Sequence, residues 1–219
     1  MQTKEYNPLD YENLTRNCVQ ELMRRGPFKL PIAERFDGAG VYALFFVGSG
    51  SPYYEPIRSV EAAWPIYVGK AEPGGGRKGG TKKGGATDAL LKRLREHVSS
   101  ISAADNLKPE DFLCRYLVVT PLWITMAERF LIEHYQPVWN ICLDGFGNHV
   151  PGKFRNEGAR PPWDILHPGR PWAARLREAR SKAEVERAVH EFLKNHNQRV
   201  QEAVDKEVVD RALDADEDE

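Results

Sequence analysis

The sequence predicts an α+β domain built in the order β-β-α-β-α. Two dense apolar runs of strand length, at 39–47 and 65–69, and a third at 112–120 supply the strands, while helix-period apolar stripes supply the rest. At 219 residues, 41 % of them apolar and 29 % charged, the chain has the composition of a globular protein and enough apolar material for a core.

In chain order, positions 10–25 carry Tyr11, Leu14, Cys18 and Leu22 at helical spacing, and Gly26-Pro27 ends that helix. The run AGVYALFFV (39–47) is the first core strand and PIYVG (65–69) the second, with a Gly/Ser/Pro-rich insertion between them. A second insertion follows, whose glycines prevent regular structure and whose Arg77, Lys78, Lys82 and Lys83 carry positive charge. Thr87 is placed to cap a helix running to about Ile101, with Leu90, Leu94, Val98 and Ile101 on its buried stripe. After the third strand, Pro121 opens a helix that Pro137 stops. The stretch 144–171 reads as an irregular excursion punctuated by Lys153, Arg155, Arg160 and Arg170. Ser181 and Glu184 form a capping box for a last helix with Val185, Ala188, Val189, Phe192 and Leu193 on its apolar face. The organisation expected is an N-terminal helical arm (1–38), a core (39–143) with insertions at 48–64 and 72–87, a C-terminal extension (144–200) and an acidic tail (201–219), disordered at its end.

The start of the chain lacks the apolar run of a signal peptide, and no stretch is long and apolar enough to span a bilayer, so a cytoplasmic protein with no membrane contact is expected. Cys18, Cys114 and Cys142 are far apart and each lies in an apolar pattern, which predicts three buried thiols and no zinc or disulfide framework. The formal net charge of -1 conceals an asymmetry: positions 201–219 hold nine acidic residues against Lys206 and Arg211, leaving +6 on the first 200 residues. Between Tyr67 and Ser99, eight basic residues face three acidic ones. Such a local excess is the electrostatic footprint of a surface that follows a phosphate backbone, although basic patches also occur on proteins that bind no nucleic acid.

Several polar residues lie where packing does not want them. Glu128 falls within the stripe formed by Ile124, Ala127, Leu131, Ile132 and Tyr135, where a carboxylate is costly unless paired or bound to a cation. A rim salt bridge and a cation ligand are both compatible with that position. Arg93 and His97, four residues apart, project side by side beside the stripe of their own helix. Tyr42 and Tyr67 are each mid-strand in apolar runs, as core tyrosines or as site residues whose hydroxyls need partners. Together with Asn140 they form a set able to cut a phosphodiester.

Gly40-Val41-Tyr42 and Tyr67-Val68-Gly69 resemble the paired Gly-Ile-Tyr and Tyr-Ile-Gly motifs of the GIY-YIG nuclease superfamily, with Val for Ile in both. Lys70-Ala71 follows the second motif as is common there, Arg93-Leu94-Arg95-Glu96-His97 matches its Arg-x-x-x-His pattern, and AERFLIEHYQPVWN matches the segment with its metal-binding Glu and terminal Asn. The resemblance spans 40–140. It departs from the family in the longer spacing from Tyr42 to Tyr67 and in the basic glycine-rich insert before Arg93, both of which loops can absorb.

The resemblance implies a small antiparallel sheet flanked by helices and a catalytic set of Tyr42, Tyr67, Arg93, His97, Glu128 and Asn140. Glu128 would hold one Mg2+ or Mn2+ per active site, Arg93 would fork onto the phosphate, and Tyr42 would take the proton of the attacking water with help from His97 or from the metal's field. Tyr67 would position water or phosphate, and Asn140 would fix the motif geometry. Arg95 is a rival to Arg93, but only Arg93 has His97 at the family spacing. Lacking a zinc module, a long linker or the length of the excision-repair nuclease, the chain looks most like the Type II restriction endonucleases of the superfamily, above all the one that reads CCGCGG. Such an enzyme acts on double-stranded DNA as a homodimer and operates beside a DNA methyltransferase, with no direct contact implied. Lys70, Arg77, Lys78, Lys82, Lys83, Arg155, Arg160 and Arg170 are the DNA-binding candidates, with arginines the natural readers of guanine. The alternatives are a repair or mobile-element nuclease of low specificity and a catalytically inactive DNA-binding protein.

Overall fold

The computed structural model describes residues 9–74, 87–148 and 158–196. A four-stranded antiparallel sheet organises them, its strands lying in the order β1 (Phe28–Lys29), β4 (Phe112–Val118), β2 (Gly40–Phe46) and β3 (Tyr67–Ala71), with helices packed on it, so the domain is of the α+β class. The central strand β2 (Gly40–Phe46) is buried along its whole length because both of its faces are covered. Strand alternation sends Tyr42, Leu44 and Phe46 to one face and Val41, Ala43 and Phe45 to the other, and each set joins a different apolar cluster.

On the first face lie helix α2 (Ala89–Ala103), the short helices α4 (Val138–Ile141) and α5 (Pro162–Leu166), and a helix at 182–196, labelled α6. On the second face lie α1 (Tyr11–Met23) and α3 (Ile124–Tyr135), through Leu22, Ile124, Ala127 and Leu131. Strand β3 (Tyr67–Ala71) pairs with β2, which places Tyr42 opposite Gly69 and Leu44 opposite Tyr67. It is an edge strand, and this edge carries the candidate site.

Several expectations are corrected. The predicted N-terminal arm also contributes a strand, β1 (Phe28–Lys29), which pairs with β4 (Phe112–Val118); two residues are too short to show a period. Thr87 does not cap α2: Asp88 holds the N-cap position without a side-chain bond, and the Thr87 carbonyl accepts from the Gly38 N–H instead. Cys114 is buried, but Cys18 and Cys142 are half-buried.

The insertion at 48–64 is packed, with Tyr54 and Ala62 fully buried. Tyr54 Oη accepts from Trp139 Nε1 at 2.9 Å and is hydrogen-bonded to His167 Nε2. Arg115, 6 % exposed, donates to the carbonyls of Met23 and Arg25 past the end of α1 and to those of Glu61 and Ala62, and so ties arm and insertion to β4. The stretch 144–171 is likewise ordered where it is described, and its Trp163 and Leu166 share the first apolar cluster with β2 and with Val185, Val189 and Leu193 of α6. The capping box forms as predicted, Ser181 N–H donating to Glu184 Oε2 at 2.7 Å.

Candidate active site

The two motif glycines are explained by what a side chain would strike. A Cβ on Gly40 would lie 2.0 Å from the Leu117 carbonyl of β4, so only glycine lets the two strands approach there. A Cβ on Gly69 would lie 2.4 Å from Tyr42 Oη and 2.9 Å from Tyr67 Cε1. The Tyr42 ring therefore reaches across the bare backbone of Gly69 toward the edge of the sheet. There its hydroxyl meets His97 Nε2 at 2.5 Å, and the Tyr42 and Tyr67 ring centroids lie 6.2 Å apart.

His97 is held between these tyrosines and a residue that the sequence did not flag. Phe146 stacks on the imidazole with centroids 4.5 Å and planes 18° apart, and it meets Tyr67 edge-on at 4.9 Å. His97 is 1 % exposed, so it belongs to the buried side of α2 rather than to a flank. The next residue, Gly147, accepts from Arg93 Nη2 through its carbonyl at 2.7 Å, and Glu96 Oε2 receives Arg93 Nη1 at 3.0 Å. A Cβ on Gly147 would come within 2.7 Å of Tyr67 Oη. The glycine-flanked aromatic in Gly145-Phe146-Gly147 was the available signal. Arg95 points to solvent.

Asn140 binds β3 as a strand would. Its Oδ1 accepts from the Val68 N–H and its Nδ2 donates to the Val68 carbonyl, both at 2.8 Å, completing the outer edge of the strand between Tyr67 and Gly69. Glu128 comes from α3 on the opposite face of the sheet. Its carboxylate is 23 % exposed and pairs with Lys70 Nζ at 3.3 Å. Lys70 also meets Glu72 Oε1 at 3.2 Å and Thr125 Oγ1 at 3.0 Å.

Electrostatics link the two faces. Burial pushes the Tyr42 phenol well above its ordinary range, reinforced by Tyr67 and opposed by the Arg93 guanidinium. Tyr67 is raised for the same first reason and is likewise opposed by Arg93. Burial also raises the Glu128 carboxyl, against the pull of Lys70 and, further off, Arg93. The buried phenols are thus protonated at neutral pH, and any role of Tyr42 as a base must run through a partner that takes its own proton.

Among the described residues no group of three or more His, Cys, Asp or Glu side chains is arranged to hold a metal. The residue with donor chemistry for a cation is Glu128, whose carboxylate shares Lys70 with that of Glu72, beside groups that suit a phosphate. Such oxygen donors fit a hard cation completed by water and phosphate oxygens.

The DNA-binding candidates divide three ways. Arg77, Lys78, Lys82, Lys83 and Arg155 lie outside the described residues. Lys70 is at the site, paired with Glu128. Arg160 and Arg170 are engaged within the fold by their own hydrogen bonds and ion pairs. Arg170 is 4 % exposed and forks onto Asp164 through Nε and Nη2 at 2.6 and 2.5 Å while donating to the carbonyls of Gly145, Phe146 and Asn148. Arg160 donates to the carbonyls of Ala173, Ala174 and Leu176 and pairs with Glu178.

No helix among the described residues is long and apolar enough to cross a membrane. No curated protein matches the chain. The family model of the Eco29kI GIY-YIG domain matches residues 34–193, the span that holds strands β2, β3 and β4, both tyrosine motifs, Arg93, His97, Glu128, Asn140 and most of α6. With well over half of its length matched, the chain belongs to the Eco29kI GIY-YIG domain family, and its domain is a nuclease domain of the restriction-endonuclease kind.

Proposed function

We propose that the protein is a Type II restriction endonuclease that hydrolyses double-stranded DNA at the palindrome CCGCGG as a homodimer, with one Mg2+ or Mn2+ per active site. The observation that carries the catalytic part is the 2.5 Å contact of Tyr42 Oη with His97 Nε2 at an edge that Arg93 and Tyr67 share beside Gly147, with Glu128 reaching Lys70 of the same strand from the other face. The specificity rests on the family match and on the two-fold symmetry that a palindrome asks of its reader.

The chemistry follows from that contact. With His97 protonated at Nδ1, its Nε2 accepts the Tyr42 hydroxyl proton. As water attacks phosphorus, its proton passes to the Tyr42 oxygen while the Tyr42 proton passes to His97, so the pair takes up one proton without leaving a buried phenolate. The P–O bond to the leaving sugar oxygen then breaks. Arg93, held by Gly147 and Glu96, presents its fork to the non-bridging oxygens. Tyr67 orients the phosphate or the water, and Asn140 keeps β3 in register. Glu128 is the residue to hold the cation, whose chemistry when bound is polarisation of the phosphate and neutralisation of the leaving oxygen. The segment 144–200 supplies DNA recognition and dimer contacts, and Arg77, Lys78, Lys82, Lys83 and Arg155 supply charge toward the duplex.

Digestion of a sequenced plasmid with Mg2+, alongside Glu128→Ala, tests this reading. Discrete ends at CCGCGG that vanish in the variant are the expected result. Ends without a common sequence would replace it with a nuclease of low specificity, and absence of cleavage in Mg2+ and Mn2+ would overturn the catalytic reading.

A further inference from the structure

Lys70 occupies a place that the catalytic account leaves unexplained. It follows Gly69 on β3, and alternation turns it to the face opposite Tyr67, toward α3. An ammonium has three donors, and three acceptors surround this one: Glu128 Oε2 at 3.3 Å, Glu72 Oε1 at 3.2 Å and Thr125 Oγ1 at 3.0 Å. Thr125 completes the arrangement by donating its own hydroxyl proton to Glu72 Oε1 at 3.2 Å. Lys70 and Glu128 are 30 % and 23 % exposed, so solvent screens their attraction only in part.

A divalent cation on Glu128 would bind a carboxylate oxygen at about 2.0–2.1 Å. The Lys70 ammonium already lies against that carboxylate, and two cations on one carboxylate repel strongly in a half-buried site. Lys70 has somewhere else to go, because Glu72 and Thr125 hold two of its three protons without Glu128. A scissile phosphate arriving at Arg93 and Tyr67 offers the third proton a new anion.

We propose that Lys70 stands in for the metal at Glu128 in the free enzyme and is drawn off by the DNA phosphate, so that metal loading is coupled to substrate binding. This rests on the reading of Glu128 as the metal-holding carboxylate. Its consequence is a nuclease that carries little metal away from DNA, with the linkage reciprocal: DNA tightens the metal and the metal tightens DNA by the same factor.

The test is Mn2+ binding to the intact protein, followed by electron paramagnetic resonance, for the wild type, Lys70→Met, Lys70→Arg and Glu128→Gln. Without DNA, Lys70→Met binds Mn2+ about tenfold tighter than the wild type, Lys70→Arg stays near the wild type because it keeps the charge, and Glu128→Gln loses the site. In a Tyr42→Phe background that slows cleavage, a CCGCGG duplex tightens Mn2+ on the Lys70 protein by more than on its Met counterpart. Equal Mn2+ affinity for Lys70→Met and the wild type, with Glu128→Gln still abolishing binding, would overturn the role of Lys70 and leave the metal reading intact. Binding insensitive to Glu128→Gln would overturn both. Unfolding temperatures near that of the wild type show that each variant is folded.

Discussion

Gly69→Ala places one methyl group in the space through which Tyr42 reaches His97. The new Cβ would be 2.4 Å from Tyr42 Oη and 2.9 Å from Tyr67 Cε1, whereas ordinary contact begins at 3.4 Å. The Tyr42 hydroxyl must therefore retreat by about 1 Å, and it is the far end of a rigid ring whose other end is fixed in a fully buried strand. Misplacement of a reacting group by about 1 Å costs on the order of 100-fold in rate. Overpacking costs about 1–3 kcal/mol of stability, too little to unfold a domain of this size. Gly69→Ala is thus predicted to lower single-turnover cleavage of a CCGCGG duplex about 100-fold while duplex binding stays within a few-fold of the wild type. Single-turnover kinetics with saturating enzyme read the rate, and titration of a labelled duplex in Ca2+ reads binding. Undiminished cleavage by a folded Gly69→Ala protein would refute the idea that Tyr42 acts from the position it occupies over Gly69.

Arg170→Ala leaves Asp164, whose side chain is 1 % exposed, without its bidentate partner; about 3–5 kcal/mol is lost, and the unfolding temperature drops by roughly 10 °C. A variant of normal stability that lost only sequence selectivity would return Arg170 to the DNA interface. Asn140→Ala removes two 2.8 Å bonds to Val68, a loss of about 2 kcal/mol, and the Val68 amide should exchange with deuterium faster than its neighbours on β2. His167 is fully buried between Tyr54 and Asn106, and burial, with Lys182 and Arg170 adding, pushes its pKa down to about 3. In the unfolded chain it titrates at 6.5, so between pH 6.5 and pH 3 the unfolded state binds a proton that the folded state refuses. Stability therefore falls as pH drops through that window, by up to about 1.4 kcal/mol per pH unit from this group, and urea unfolding of His167→Gln should show a correspondingly flatter dependence.

Much of this architecture is legible in the sequence, and the misses have physical causes. The strands announced themselves because β2 and β3 are buried on both faces and read as continuous apolar runs, and α3 because its stripe is interrupted by the single carboxylate of Glu128. Periodicity, however, reports only which side of an element is buried. It could not tell that His97 is enclosed rather than flanking, because its enclosure comes from Phe146, 49 residues downstream. Nor could it tell that Arg160 and Arg170 are structural: a basic residue in a Gly/Pro-rich stretch looks solvated until the carbonyls and carboxylates that surround it are known. Nor does composition show how the insertion at 48–64 packs, since Tyr54 is anchored by Trp139 and His167, which lie far along the chain. Lys70 was legible as a motif neighbour but not as the partner of Glu128, because that pairing forms only when α3 folds back over the edge of β3.

In the proposed mechanism Tyr42 and His97 act as one proton-accepting unit. Single-turnover cleavage rates for Tyr42→Phe, His97→Ala and the double variant on the same duplex test it most directly. Each single variant should lose about 100-fold or more, and the double variant should be no slower than the worse of the two, because the second change removes a partner already without its function. Losses that multiply in the double variant, or a His97→Ala protein that cleaves at the wild-type rate, would contradict it.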